Sequence, residues 1–254
     1  MLDQWLAGQA FAYFLVFCRI GSAIMLLPGI GELYVPPRIR LLLALSISVL
    51  LAPVLAPVLP AEPKAVGGLF ALAGGEILVG LFFGMLARIL IDAANTAGTV
   101  IATQSGLASA VTLGINQPAQ TTVVTNLLSI TAVTVMFAMD LHHVMLSGLR
   151  ASYGVFPPGH FPMVGDMADY TALTVSHAFG VGLRIAAPQL VVGLILYLGA
   201  GVLSRLMPTM QIFFILMGPQ ILISFFILMV TLSGSMLWYM GYMEDAFIHF
   251  PAQP

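Results

Sequence analysis

Residues 93–139, lying between Asp92 and Asp140, contain no charged side chain, yet the middle of that stretch, 103–120, is too polar for lipid. It reads TQSGLASAVTLGINQPAQ: Gln104, Ser105, Thr112, Asn116, Gln117 and Gln120 carry hydrogen-bonding groups, while Gly106, Gly114 and Pro118 interrupt a regular helix. Hydrocarbon cannot satisfy the amides of such an irregular backbone. The segment is therefore expected to be a loop buried in protein or lining a watery path, held inside an assembly or pore.

The rest of the chain makes a membrane setting unavoidable. Of 254 residues, 60% are hydrophobic and 7% charged, against roughly 25% charged in soluble proteins, and mean hydropathy is +1.04. No hydrophilic block is large enough to fold separately, so one membrane domain over 1–254 is expected. A bilayer core of about 30 Å needs about 20 apolar residues per helix, which yields about six candidate spans. They cover 10–27, 41–59, 66–91, 121–139, 172–203 and 206–243. The last exceeds one span and predicts a broken helix or a hairpin turning at Met217-Gly218-Pro219. The expected fold class is all-α, a multi-helix membrane protein of helical hairpins with broken helices.

The N-terminus lacks a basic region ahead of its apolar run, and its one early charge is Asp3, so it is read as a retained first span. Arg38 and Arg40 favour a cytoplasmic first connection. The largest hydrophilic connection is expected over 153–170.

Several function classes are disfavoured. Eight scattered basic residues against a net charge of −2 give no nucleic-acid footprint and no basic cluster for lipid headgroups. The lone Cys18 has no partner for an internal disulfide and is read as a small packed hydrophobe. No GxSxG, GxxxxGK[ST], CxxC or HExxH element is present, so neither an enzyme nor a cofactor is expected. Asp140, His142 and His143 invite a metal reading, but adjacent histidines on a helix diverge by about 100°. Metal-binding pairs usually sit at i,i+3 or i,i+4, so no metal site is expected there.

The sharpest pattern lies in the third apolar run, where Glu76, Gly80, Gly84, Arg88 and Asp92 recur every four residues. On a helix that spacing makes one slowly drifting stripe. Gly80 and Gly84 form a GxxxG element, which lets another backbone approach closely. The stripe reads as a subunit or helix packing face bracketed by charges; the plainer reading puts Glu76 and Arg88 near opposite membrane interfaces. Arg88 and Asp92 have i,i+4 spacing, in the weaker cation-first order. Arg19, Arg184 and Arg205 also lie in or beside apolar runs. Arginine stays protonated, which favours structural pairing over proton relay. Seven methionines in the last stretch (Met207, Met210, Met217, Met229, Met236, Met240, Met243) read as packing fillers or as a deformable seal.

These segments together resemble a known family. RIGSAIMLLPGIGELYVPPRIRLLLALSISVLLAP over 19–53 is similar to the N-terminal signature of the FliR family of flagellar export proteins and its virulence-secretion paralogues. The matching elements are Arg19, Pro28, Gly29, Gly31, Pro36, Arg38 and Arg40, followed by Pro53. GGEILVGLFFGMLARILIDAANTAGTVIATQSGL over 74–107 is similar to the family's Glu- and Gly-rich segment leading into Gln104 and Gly106. DLHHVMLSGLRASYGVFPPG over 140–159, RIAAPQLVV with Pro188, and SRLMPTMQIFF with Arg205 and Pro208 extend the likeness to nearly the whole chain.

The resemblance implies a structural subunit of a type III export gate at the flagellar basal body. It also implies a hetero-oligomer with FliP-like and FliQ-like subunits, FlhB-like and FlhA-like export components as further partners, contact with membrane lipid, and unfolded exported chains as cargo. By position, the family's channel-closing loop corresponds to 106–120. Gly106, Leu107, Val111, Leu113, Gly114, Ile115, Asn116 and Gln117 would belong to that plug, with the four apolar residues as the obstruction. Bulky aromatics that often help such plugs are missing from this stretch.

Two readings compete. A self-contained secondary transporter would use helices broken at Pro188, Pro208 and Pro219 with Glu76 as titrating group; the equivalent subunit of a virulence secretion system would share the gate logic. A membrane metalloenzyme using His142 and His143 ranks third.

Overall fold

The turn after the first apolar run is set by its glycines and prolines. Gly29 has a positive φ of 79°, and the Gly31 N–H donates to the Leu27 carbonyl at 2.7 Å. A Cβ on Gly31 would lie 2.5 Å from the Met25 carbonyl oxygen, so only glycine fits. Pro36 then takes an extended conformation ahead of Pro37, which opens the next helix. A proline there loses no hydrogen bond, since first-turn N–H groups have no helical partner.

The computed structural model describes residues 2–32, 34–63, 65–106, 123–207 and 212–248. Among the described residues there are seven helices and no strand: α1 (Leu2–Leu26), α2 (Pro37–Leu55), α3 (Val66–Gln104), α4 (Val123–Ala138), α5 (Leu141–Val155), α6 (Val164–Leu206) and α7 (Ile212–Ile248). The all-α class is as expected. Five helices are long and apolar enough to cross a membrane, and α4 with α5 makes a sixth candidate bent by 75°.

The break in that bent pair falls at Asp140, which sits in the left-handed region at φ 57° and starts α5 without a side-chain cap. Two of the breaks expected elsewhere, at Pro188 and at Met217-Gly218-Pro219, do not occur. α7 continues through Gly218 and Pro219, and α6 through Pro188, so neither proline interrupts its helix. A single proline removes one backbone hydrogen bond, and neighbouring turns and helices can carry the helix across it.

α3 also outruns the expected span, ending at Gln104 rather than near residue 91. Thr103 Oγ1 donates back to the carbonyls of Val100 (2.7 Å) and Thr99 (3.1 Å), and Ser105 Oγ to that of Ala102 (2.9 Å). These hydroxyls are satisfied by the helix itself, so polarity alone does not end it. The chain turns out only at Gly106, whose φ is 75°. The connection expected over 153–170 shrinks to 156–163, because α5 reaches Val155 and α6 starts at Val164. Asp166 in the first turn of α6 suits the positive end of the helix dipole.

The chain groups into two compact units. The first comprises Met1–Leu90, Asp140–Val175 and Glu244–Pro254; the second comprises Ile91–Met139 and Ser176–Met243. In the first, Leu15, Ile20 and Ile24 of α1, Phe83 of α3, Leu141, Met145 and Leu149 of α5 are fully buried. α2 turns its small residues Ala44, Ser48 and Ala52 inward and leaves Leu42, Leu50 and Val54 exposed. In the second unit the core is Ala94, Ala97 and Ala102 of α3, Leu128, Ala132 and Met136 of α4, Ala186 of α6, and Tyr239, Met240 and Met243 of α7. Buried Met236, Met240 and Met243 fill that core, whereas Met229 and Met207 are exposed.

Candidate functional site

The stripe on α3 faces α1 of the same chain. A Cβ on Gly80 would collide with the Arg19 carbonyl oxygen and Ser22 Oγ. One on Gly84 would lie 2.7 Å from the Ala23 carbonyl oxygen and 2.8 Å from Leu26 Cβ. Absence of side chains at these two positions is what lets the helix backbones meet.

One turn before Gly80, the same face presents Glu76 to Arg19. Arg19 Nε donates to Glu76 Oε2 at 2.7 Å and Nη2 to Oε1 at 3.0 Å, a two-pronged ion pair. Nη2 also donates to the Phe156 carbonyl at 2.9 Å, and Nη1 reaches Ser152 Oγ at 3.4 Å. The guanidinium carbon lies 4.0 Å from the centre of the Tyr153 ring. Arg19 is 1% exposed and Glu76 3%. A planar guanidinium suits this role because its fixed fork matches a carboxylate while its face stacks on an aromatic ring. The arrangement joins α1, α3 and α5 into one charged core.

The other stripe charges behave differently. Arg88 Nη2 contacts Glu32 Oε2 at 3.5 Å, and Asp92 instead accepts from Asn95 Nδ2 at 2.9 Å. Arg88 thus meets a carboxylate from the turn after α1, and the weaker cation-first i,i+4 spacing to Asp92 offers little to compete with it.

Among the signature residues, Pro28, Gly29, Gly31 and Pro36 shape the α1–α2 turn described above. Arg40 ties that turn down, with Nε donating to the Val35 carbonyl at 3.1 Å and Nη1 to that of Gly31 at 3.4 Å. Arg38 and Arg184 are exposed. Pro188 is half-buried within α6, and Arg205 lies exposed in its last turn, where a cation suits the helix dipole. Pro208 lies outside the described residues. So do Leu107, Val111, Leu113, Gly114, Ile115, Asn116 and Gln117 of the candidate plug, leaving Gly106 as its one described member.

The root of that segment is fastened within the second unit. Gln220 Nε2 of α7 donates to the Gln104 carbonyl at 2.5 Å and approaches Tyr197 Oη of α6 at 3.4 Å. Beside it, Gln189 Nε2 of α6 donates to the Ser224 carbonyl at 2.8 Å and to Ser224 Oγ. Sequence reasoning missed these groups, although a signal existed: Pro188-Gln189 and Pro219-Gln220 repeat one polar dipeptide inside two apolar helices. It also missed Gly98, where a Cβ would lie 2.5 Å from Thr125 Cα, and Gly182, where one would lie 2.9 Å from the Ala93 carbonyl oxygen. Ala94, Gly98 and Ala102 continue a four-residue spacing of small residues that would have found the first.

Asp140, His142 and His143 depart from expectation in geometry. The two imidazole centres are 4.1 Å apart rather than diverging, and one ligand atom from each of the three residues lies within 4.8 Å of the others. The helix begins only at Leu141, and both rings lie in its first turn, where their side-chain rotamers bring them together.

Similarity to known proteins spans the whole constellation. The family described as bacterial export proteins, family 1, matches residues 10–246. The flagellar biosynthetic protein FliR of Caulobacter vibrioides is 34% identical over 94% of this chain and 95% of its own length. That of Escherichia coli is 30% identical over 84% and 80%. The Yop proteins translocation protein T of Yersinia pestis is 29% identical over 64% and 63%. The match therefore takes in Arg19, Glu76 and the glycines between their helices, and the chain belongs to the bacterial export protein family 1.

Proposed function

We propose that this chain is a structural, non-catalytic subunit of the type III export gate, placed in the bacterial inner membrane at the flagellar basal body. It assembles with FliP-like and FliQ-like subunits, works with FlhB-like and FlhA-like components, and helps form the conduit through which unfolded proteins leave. The observation that carries this reading is the family match over 10–246, backed by near-complete coverage of a flagellar FliR. That coverage exceeds the share matched in the virulence relative, which favours flagellar cargo.

Exposed apolar side chains support an incomplete monomer. Leu42, Leu50, Val191, Leu222 and Met229 are all more than half exposed, and lipid or partner helices must cover such faces. Segment 106–120 closes the conduit in this reading, and the fastened Gln104 gives it a fixed starting point. A transporter built on Glu76 is disfavoured: that carboxylate is 3% exposed and engaged by Arg19 through both oxygens.

Two experiments test the proposal. Co-expression with FliP-like and FliQ-like partners is expected to convert an aggregating chain into a defined complex; a stable, well-dispersed monomer in mild detergent would count against it. Deleting 106–116 is expected to leave assembly intact and raise ion leakage, and unchanged permeability would remove the closing role.

A further inference from the structure

The polar cluster of the second unit has unmet acceptors. Among the described residues neither the Gln104 nor the Gln189 side-chain carbonyl oxygen, both buried, meets a hydrogen-bond donor, and Gln189 is 4% exposed overall. Both residues line one small cavity with Gly193, Gln220, Ile223 and Ser224. Rotating the Gln189 carboxamide offers no escape. Its nitrogen is held by the Ser224 carbonyl, which accepts only, so the oxygen must point elsewhere. A Gln104 amide turned to present its nitrogen would face Gln189 Oε1 directly; with its oxygen inward, two buried acceptors lining one cavity are matched by a donor with two hydrogens.

We infer that an internal water molecule bridges Gln104 Oε1 and Gln189 Oε1. Water supplies two O–H donors, and a cavity with room for about one such molecule beside polar groups is where internal waters occur. Gly193 leaves the Gln104 carboxamide its place beside that cavity, because a Cβ there would lie 2.6 Å from Gln104 Oε1. The water completes a clasp on the last turn of α3. Gln104 is tied to α7 through Gln220 directly and to α6 through the water and Gln189, two residues before the chain departs at Gly106. Gln104, Gln189 and Gln220 are thus positioning residues for the start of segment 106–120. This last step rests on the closing role proposed for that segment; the water itself does not.

The test uses the assembled complex with the full chain. A map that resolves ordered waters is expected to show a peak within hydrogen-bonding distance of both oxygens; no peak, or a protein donor in its place, overturns the site. Gly193→Ala is expected to lose that peak and raise ion leakage at unchanged complex yield. Gly201→Ala on the same helix, where an added Cβ meets nothing within 4 Å, is expected to do neither. If Gly193→Ala fails to assemble, Gln189→Met is the second variant, removing one acceptor at similar length, with the same two readouts expected. Leakage after deletion of 106–116 but none after either clasp variant would sink the clasp alone. No leakage after the deletion would sink the closing role and leave the water peak to be judged by the map.

Discussion

Arg19 of α1 and Glu76 of α3 hold each other through two hydrogen bonds of 2.7 and 3.0 Å, although they lie 57 positions apart in sequence. The pair forms because Gly80 and Gly84 bring the two helices into backbone contact, and it is tolerable in a buried setting because Ser152, Tyr153 and the Phe156 carbonyl take up the rest of the guanidinium. Buried pairs add little net stability by themselves, since desolvation offsets attraction. Their effect shows when one partner is lost.

Glu76→Gln is therefore expected to leave a buried guanidinium without its counter-charge and to cost on the order of 3 kcal/mol, the lower end for breaking a buried pair, since one acceptor survives. The measurement is the melting temperature and yield of the co-expressed complex. Arg19→Met combined with Glu76→Leu should recover part of that loss, because no charge is stranded. A Glu76→Gln complex that assembles normally but loses a solute flux would instead support a transporter.

Gly80→Ala is expected to force α1 from α3, since the new methyl meets the Arg19 carbonyl and Ser22 Oγ; overpacking of this kind costs about 1–3 kcal/mol. Gly74→Ala, on the same helix with nothing within 4 Å, is the matched control and should be neutral or slightly stabilising. Equal melting temperatures for the two variants would show that the glycine face is not a tight contact.

The difference between those two glycines marks how far the sequence could be read. The four-residue stripe on α3 was visible because a helix repeats its faces locally, and Glu76, Gly80 and Gly84 needed only that periodicity. Ser152, Tyr153 and Phe156 had no such signal: what brings them to Arg19 is the packing of α5, which no local spacing encodes. Proline misled for a related reason. Pro188 and Pro219 weaken a helix locally, but surrounding turns kept α6 and α7 continuous, while the break came at Asp140, a residue without a breaker's reputation.

At Asp140 the left-handed backbone makes opposite predictions for two substitutions. Glycine accepts φ 57° freely, so Asp140→Gly should hold or raise the stability of the complex, by up to about 1 kcal/mol, read as an equal or higher melting temperature. A β-branched residue suffers most in this conformation, and Asp140→Val should cost about 1–2 kcal/mol. The side chain is largely exposed and its contact to His143 Nδ1 is 3.7 Å, so lost contacts contribute little to either outcome. If both variants melt alike, the bend between α4 and α5 does not depend on this conformation.

Arg88 and Glu32 supply the counterpart to the buried pair. Their closest atoms are 3.5 Å apart and the side chains are 38% and 23% exposed, so water screens the attraction. Exposed pairs of this kind contribute roughly 0–1 kcal/mol and weaken with salt. Glu32→Gln should thus change the melting temperature of the complex slightly at low salt and not at all at high salt, whereas the Glu76→Gln deficit should persist at both. Salt dependence separates the two roles because screening requires ions to approach, and around Arg19 the packed side chains of α1, α3 and α5 leave them no path. A Glu76→Gln deficit that vanished at high salt would mean that the Arg19 site is open to solvent.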